Sequence, residues 1–180
     1  MRGGAPYILK GEVHVLEFKH VFENINEKTG KLQKSKRWIF VALEIAKNGS
    51  GRAYAEAIKY LTVDSLTYFL DKHISIETFV VMEKLKAYTL SNKYKNLRQL
   101  PVNDDKNFPE LQAHIANLKA WLRKNYRCHN SAQLQGYLDE YHFRFNRRKK
   151  KGSIFDALIC RMVKSEKPKR LNNKRKTSTT

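Results

Sequence analysis

Cysteine is scarce in this chain of 180 residues: Cys128 and Cys160 stand far apart, with no second cysteine near either. A zinc ribbon needs paired cysteines and a disulfide framework needs several, so neither is expected, and two idle thiols fit a reducing compartment. Long apolar runs are missing as well. No stretch approaches the roughly 18 uncharged apolar residues of a membrane-spanning helix, and the opening MRGGAPYILKGEV lacks the apolar core of a secretory signal. Acidic residues are the third deficit, because 17 Asp and Glu face 36 Lys and Arg, for a formal charge of +19 and a pI near 10.0. Such an excess attracts polyanions, which makes nucleic acid the leading partner class and an acidic membrane surface the second.

What is present suffices for one domain. A chain with 41% hydrophobic and 11% aromatic residues can build a core, and 29% charged residues is ordinary for a globular protein. The charge is unevenly placed: residues 146–180 hold thirteen basic residues against Asp156 and Glu166, or +11, which leaves +8 for the rest. The last stretch, SEKPKRLNNKRKTSTT, has one apolar residue and cannot offset its ordering entropy, so residues 165–180 are expected to form a disordered basic tail.

Hydrophobic periodicity divides the chain into a strand-rich first half and a helical second half. Residues 12–18 alternate around Val13 and Val15; Lys28, Thr29, Gly30 and Lys31 make a polar turn; residues 37–45 form an apolar run of strand length. Asn48, Gly49, Ser50 and Gly51 are the strongest turn signal, and residues 52–60 follow as a third strand, so the three read as an antiparallel meander. Thr62 stands at an N-cap position before a helix whose inner face is Val63, Leu66, Phe69, Leu70 and His73. Residues 78–82 then read as a buried strand that returns parallel to one of the first three. Leu111, Ile115, Leu118 and Leu122 mark a helix behind Pro109. Leu134, Tyr137, Leu138, Tyr141 and Phe145 mark another, with Ser131 as its expected cap, and Ile154, Leu158, Ile159 and Met162 suggest a last one. The pattern predicts an α/β domain with a mixed sheet, β-β-β-α-β followed by helices.

Several segments resemble a known family. GYLDEYHFRFNRR (136–148) is similar to the C-terminal signature of bacterial insertion-sequence transposases of the DDE type, the ISXO2-like domains. NLKAWL (117–122), GRA (51–53), SLTYF (65–69) and GEVHVLE (11–17) resemble further motifs of that family, in the same order and spacing over residues 9–164. The resemblance implies an RNase-H-like mixed β-sheet flanked by helices, with residues 1–8 as an extension. It also implies an N-terminally truncated copy, since such proteins usually carry an end-recognition region before this domain.

In that family three polar residues hold divalent metal ions, Mg or Mn. In-line attack on a phosphodiester uses two such ions roughly 3.5–4 Å apart, and hard cations need carboxylate oxygens. By the resemblance, the first carboxylate position falls on Leu16, which cannot ligate a metal. Its neighbour Glu17 has the right chemistry, but successive strand side chains face opposite ways. The second position falls on Glu83, five residues before Tyr88, and the third near Gln112, with His114 and Asn117 one turn on. The expectation is a catalytically degenerate domain, with Glu83 as the one candidate metal ligand. In a purely structural reading, Leu16 is a core residue, Glu83 a solvated strand end, and His114 and Asn117 polar positions on an amphipathic helix.

The basic cluster Arg144, Asn146, Arg147, Arg148, Lys149, Lys150 and Lys151 suits phosphate contacts, although Arg144 can instead pair with Glu140 one helical turn earlier. DNA is the expected partner, bound mainly through its backbone, with no membrane, a cytoplasmic and nucleoid-associated location, and a homo-oligomer left open. Two other functions compete with this one: an active transposase or nuclease using Glu83, and a non-catalytic basic protein that binds RNA or nucleoid DNA.

Overall fold

A computed structural model describes residues 8–25, 32–47, 49–83, 94, 96–101, 107–125, 133–149 and 159. Strands β1 (Glu12–Ile25), β2 (Leu32–Ala46) and β3 (Gly49–Ile58) form the expected antiparallel meander. Helix α1 (Val63–His73) crosses over to β4 (Phe79–Glu83), which pairs parallel to β1, as a crossover connection requires. After β4 come β5 (Leu97–Leu100), α2 (Pro109–Asn125) and α3 (Leu134–Phe145), and the sheet order is β3-β2-β1-β4-β5.

The sheet separates two cores, which explains why the middle of β2 is apolar without alternation. Ile39, Val41 and Leu43 face α2 and α3, alongside Leu16, Phe18, Ala53, Ala55 and Val81. Phe40 and Ala42 face α1 with Val13, Val15, Val80 and Met82. All five residues from Ile39 to Leu43 are fully buried, so the strand is covered on both faces. Helix α1 begins at Thr62, whose hydroxyl accepts from the Ser65 amide at 3.2 Å while the Ser65 hydroxyl accepts from the Thr62 amide at 3.3 Å. Such reciprocal caps stabilise a helix by about 1 kcal/mol.

Several expectations need correction. β1 and β2 run well past residues 18 and 37, because cross-strand pairing continues to Ile25↔Leu32 where the sequence is no longer strongly apolar. β3 starts earlier, at Gly49, whose φ of +93° suits the hairpin turn and is costly for other residues. β5 escapes sequence reading because it has four residues and no exposed-to-buried alternation. Helix α3 has Gln133 at its N-cap, with no side-chain cap bond. Ser131, the turn at residues 28–31, Asn48, both cysteines, the tail at 165–180 and nearly all of the suggested last helix lie outside the described residues, as do residues 1–7.

Candidate active site

The parallel register fixes the centre of the candidate site. His14 is the Cα partner of Val81 and Val15 of Met82, so one further step sets Leu16 beside Glu83. Both lie on the α2 side: Leu16 and Val81 share that core, and Glu83 has the parity of Val81. Helix α2 lies along β1 here, with the Phe108 ring 5.0 Å from His14 at one end and Lys119 Nζ 4.7 Å from the Phe18 ring centroid at the other. Leu16 is only 8% exposed, a core side chain at the position where the sequence resemblance sets the family's first carboxylate.

Glu17 faces the other way. Its cross-strand partner Phe40 belongs to the α1 core, and the pairing of β1 with β2 is unbroken from Glu12 to Ile25, so no bulge turns Glu17 toward Glu83. The two still sense each other electrostatically. Burial pushes the Glu17 carboxyl up to about 7; a backbone hydrogen bond pulls it down and the charge of Glu83 adds to the rise. Burial also raises Glu83 above the usual carboxylate range.

The residues that the resemblance sets around the third position are engaged elsewhere or exposed. Gln112 donates from Nε2 to the Asn107 carbonyl at 2.8 Å, which ties down the entry to α2, and Asn117 is exposed. His114 is buried toward α3, with Nε2 3.2 Å from His142 Nε2 and its ring 4.3 Å from that of Phe145. Among the described residues no group of three His, Cys, Asp or Glu side chains could hold a metal ion. Among the described residues, therefore, the donor set beside Glu83 does not fit a divalent cation: its neighbour on β1 is a leucine, and the Gln112 amide is engaged with Asn107.

The basic signature at the end of α3 is engaged inside the fold. Asn146 accepts from the Ala53 amide at 2.8 Å and donates to the Ala53 carbonyl at 2.9 Å. Gln135 does the same one stretch further along, accepting from Ala57 N at 2.9 Å and donating to Ala55 O at 3.1 Å. β3 is an edge strand, and these two amides occupy its outward-facing backbone groups. Arg148 donates to the carbonyls of Gly51 (3.1 Å) and Phe145 (2.9 Å) and to Ser50, with its guanidinium 3.6 Å over the Phe145 ring. Arg147 donates to the Phe143 carbonyl at 3.2 Å, and Lys149 to that of Ser50 at 3.3 Å. Arg144 pairs with Glu140 at 2.8 Å, the structural alternative foreseen for it. Lys150 and Lys151 lie outside the described residues.

The motifs GRA and FRFNRR thus touch each other. Gly51 belongs to the same joint: a Cβ there would lie 2.7 Å from Glu44 Cβ, at the irregularity in β2 between Leu43 and Ile45. Glu44 accepts from the Arg52 amide at 3.0 Å and the Lys10 amide at 3.1 Å. Gln135 and Glu44 were not evident from sequence, since an amide or carboxylate that serves a backbone edge has no local pattern.

A five-stranded mixed sheet of this order, with helices on both faces and a carboxylate closing β4 beside the centre of β1, defines an RNase-H-like domain. The family model of the ISXO2-like transposase domain matches residues 8–146, and the chain belongs to that family of insertion-sequence DDE transposases, which act in DNA transposition. No curated protein and no solved structure matches the chain. Among the described residues no helix is long and apolar enough to cross a membrane.

Proposed function

We propose that this chain is a catalytically degenerate transposase domain that keeps the family's affinity for DNA, in the cytoplasm and associated with the nucleoid. Leu16 carries this reading: a buried hydrocarbon side chain one register step from the Val15↔Met82 pair, beside Glu83, supports the expectation that the carboxylate the resemblance sets there is missing. Binding to DNA is supported by the +19 charge and by the family. The test is nicking of supercoiled plasmid by the full chain with Mg²⁺ or Mn²⁺, alongside a duplex-binding titration. The expected result is binding without nicking. Metal-dependent nicking that disappears in Glu83→Ala would overturn it.

A second function, an active metal-dependent nuclease or transposase, has one observation in its favour, the electrostatic interaction of Glu17 with Glu83. Their placement on opposite faces of the sheet argues against it.

A further inference from the structure

The β1–β2 hairpin is longer than the sheet it belongs to. Pairing of β2 with β3 ends at Trp38↔Ile58 and pairing of β1 with β4 at Val15↔Met82, whereas β1 and β2 stay paired to Ile25↔Leu32. Residues 19–25 and 32–37 therefore form a two-stranded ribbon beyond both neighbouring strands. At about 3.4 Å per residue it reaches about 20 Å past the sheet.

One face of this ribbon is built from lysine around a tryptophan. Lys19 and Trp38 are cross-strand partners, with Nζ 4.7 Å from the ring centroid. Next on that face comes Val21↔Lys36, then Glu23↔Lys34, so the strip carries three lysines against one carboxylate. Lys19, Lys34 and Lys36 are exposed, and Val21 is 46% exposed. The packing of α1 reaches Phe40, two residues after Trp38 on the same face, so the lysine strip begins where the helix leaves the sheet. Arg37 and His20 form a pair on the opposite face.

We propose that this ribbon is the chain's duplex-DNA-binding element, lying in the major groove with Lys19, Lys34 and Lys36 on phosphates and Trp38 and Val21 toward the groove floor. The proposal rests on DNA binding as read above and gives it a location. The major groove, about 12 Å wide, admits a two-stranded ribbon. Lysines two residues apart on one strand stand about 6.8 Å from each other, which lets one strand of the ribbon follow successive phosphates. Charge complementarity and length favour this occupant, since three exposed lysines outnumber Glu23 along the strip.

The test uses the full chain and a labelled 30-base-pair duplex over a salt series. The variant is Lys19→Gln, Lys34→Gln, Lys36→Gln, and the control removes three exposed lysines elsewhere, Lys47→Gln, Lys59→Gln, Lys124→Gln. Each phosphate contact contributes about 0.9 to the slope of log affinity against log salt, so the ribbon variant should lose about 2–3 from the slope and at least about tenfold in affinity near 0.1 M salt. In a Trp121→Phe background, duplex addition should also quench Trp38 fluorescence. A ribbon variant that binds like the wild type, while the wild type binds well, overturns the ribbon and leaves DNA binding standing. A wild type that does not bind duplex at low salt overturns both. Tighter binding to single-stranded RNA, lost in the same variant, overturns duplex DNA as the occupant.

Discussion

Asn146 holds both backbone polar groups of Ala53, with its side-chain oxygen 2.8 Å from the amide nitrogen and its side-chain nitrogen 2.9 Å from the carbonyl oxygen. An asparagine side chain has the same donor and acceptor pair as a peptide group, so it completes the edge of β3 as a neighbouring strand would. Asn146→Ala leaves two partly buried groups unpaired and should destabilise the fold by about 1–3 kcal/mol in urea unfolding, with duplex affinity of the folded protein unchanged. Unchanged stability with weakened DNA binding would instead assign Asn146 to phosphate.

Gly51 is required for a different reason. Its Cβ would meet Glu44 Cβ at 2.7 Å and Glu44 Oε2 at 2.8 Å. Gly51→Ala should therefore cost about 1–3 kcal/mol, as overpacking does. The oxygen can be removed by Glu44→Ala but the Cβ contact remains, so the double variant should recover little. Full recovery of the thermal midpoint in the double variant would show that only the flexible carboxylate was in the way.

These two positions mark what sequence reading reaches. The meander, α1 with its Thr62 cap and the parallel return of β4 were legible because alternation, turn residues and apolar stripes are local signals. Leu16 was legible as a core residue from its apolar side chain within β1. The task of Asn146, by contrast, depends on Ala53, 93 residues away, and nothing in the sequence around FRFNRR distinguishes a phosphate contact from a strand-edge contact. The ribbon was hidden for a similar reason, since residues 19–25 and 32–37 are polar enough to read as loop and become strand only through their pairing.

His114 and His142 bring a pH dependence. His142 Nδ1 lies 2.7 Å from the Leu138 carbonyl and donates to it, so His142 Nε2 is the acceptor for a proton carried on His114 Nε2 at 3.2 Å. Burial holds both imidazoles neutral, His114 down at about 4 with Arg148 adding to that shift, and a charge on His114 further lowers His142. The unfolded chain binds these protons near pH 6.5, so stability is full above that value and falls as pH drops from about 6.5 toward 4. NMR of the two rings should show no titration at pH 6. A midpoint near 6.5 for either would mean that it is solvated.

Glu17 produces the opposite slope over an overlapping range. Its carboxyl titrates near 7 in the fold and near 4.5 when unfolded, so the folded state holds the extra proton between those values. The stability this gives is complete below about 4.5 and lost as pH rises through 7, while the histidine pair adds stability as pH rises from about 4 to 6.5. The wild-type profile should be flattened where the two overlap. Glu17→Gln should remove one arm, giving a protein more stable than the wild type at pH 8 and indistinguishable from it near pH 4.5, with the upward slope of the histidines exposed. Because the charge of Glu83 contributes to raising Glu17, Glu83→Gln should move the Glu17 transition to lower pH without abolishing it. If Glu83→Gln leaves that transition in place, the two carboxylates do not interact across the sheet, and the observation favouring an active metal-dependent enzyme is lost.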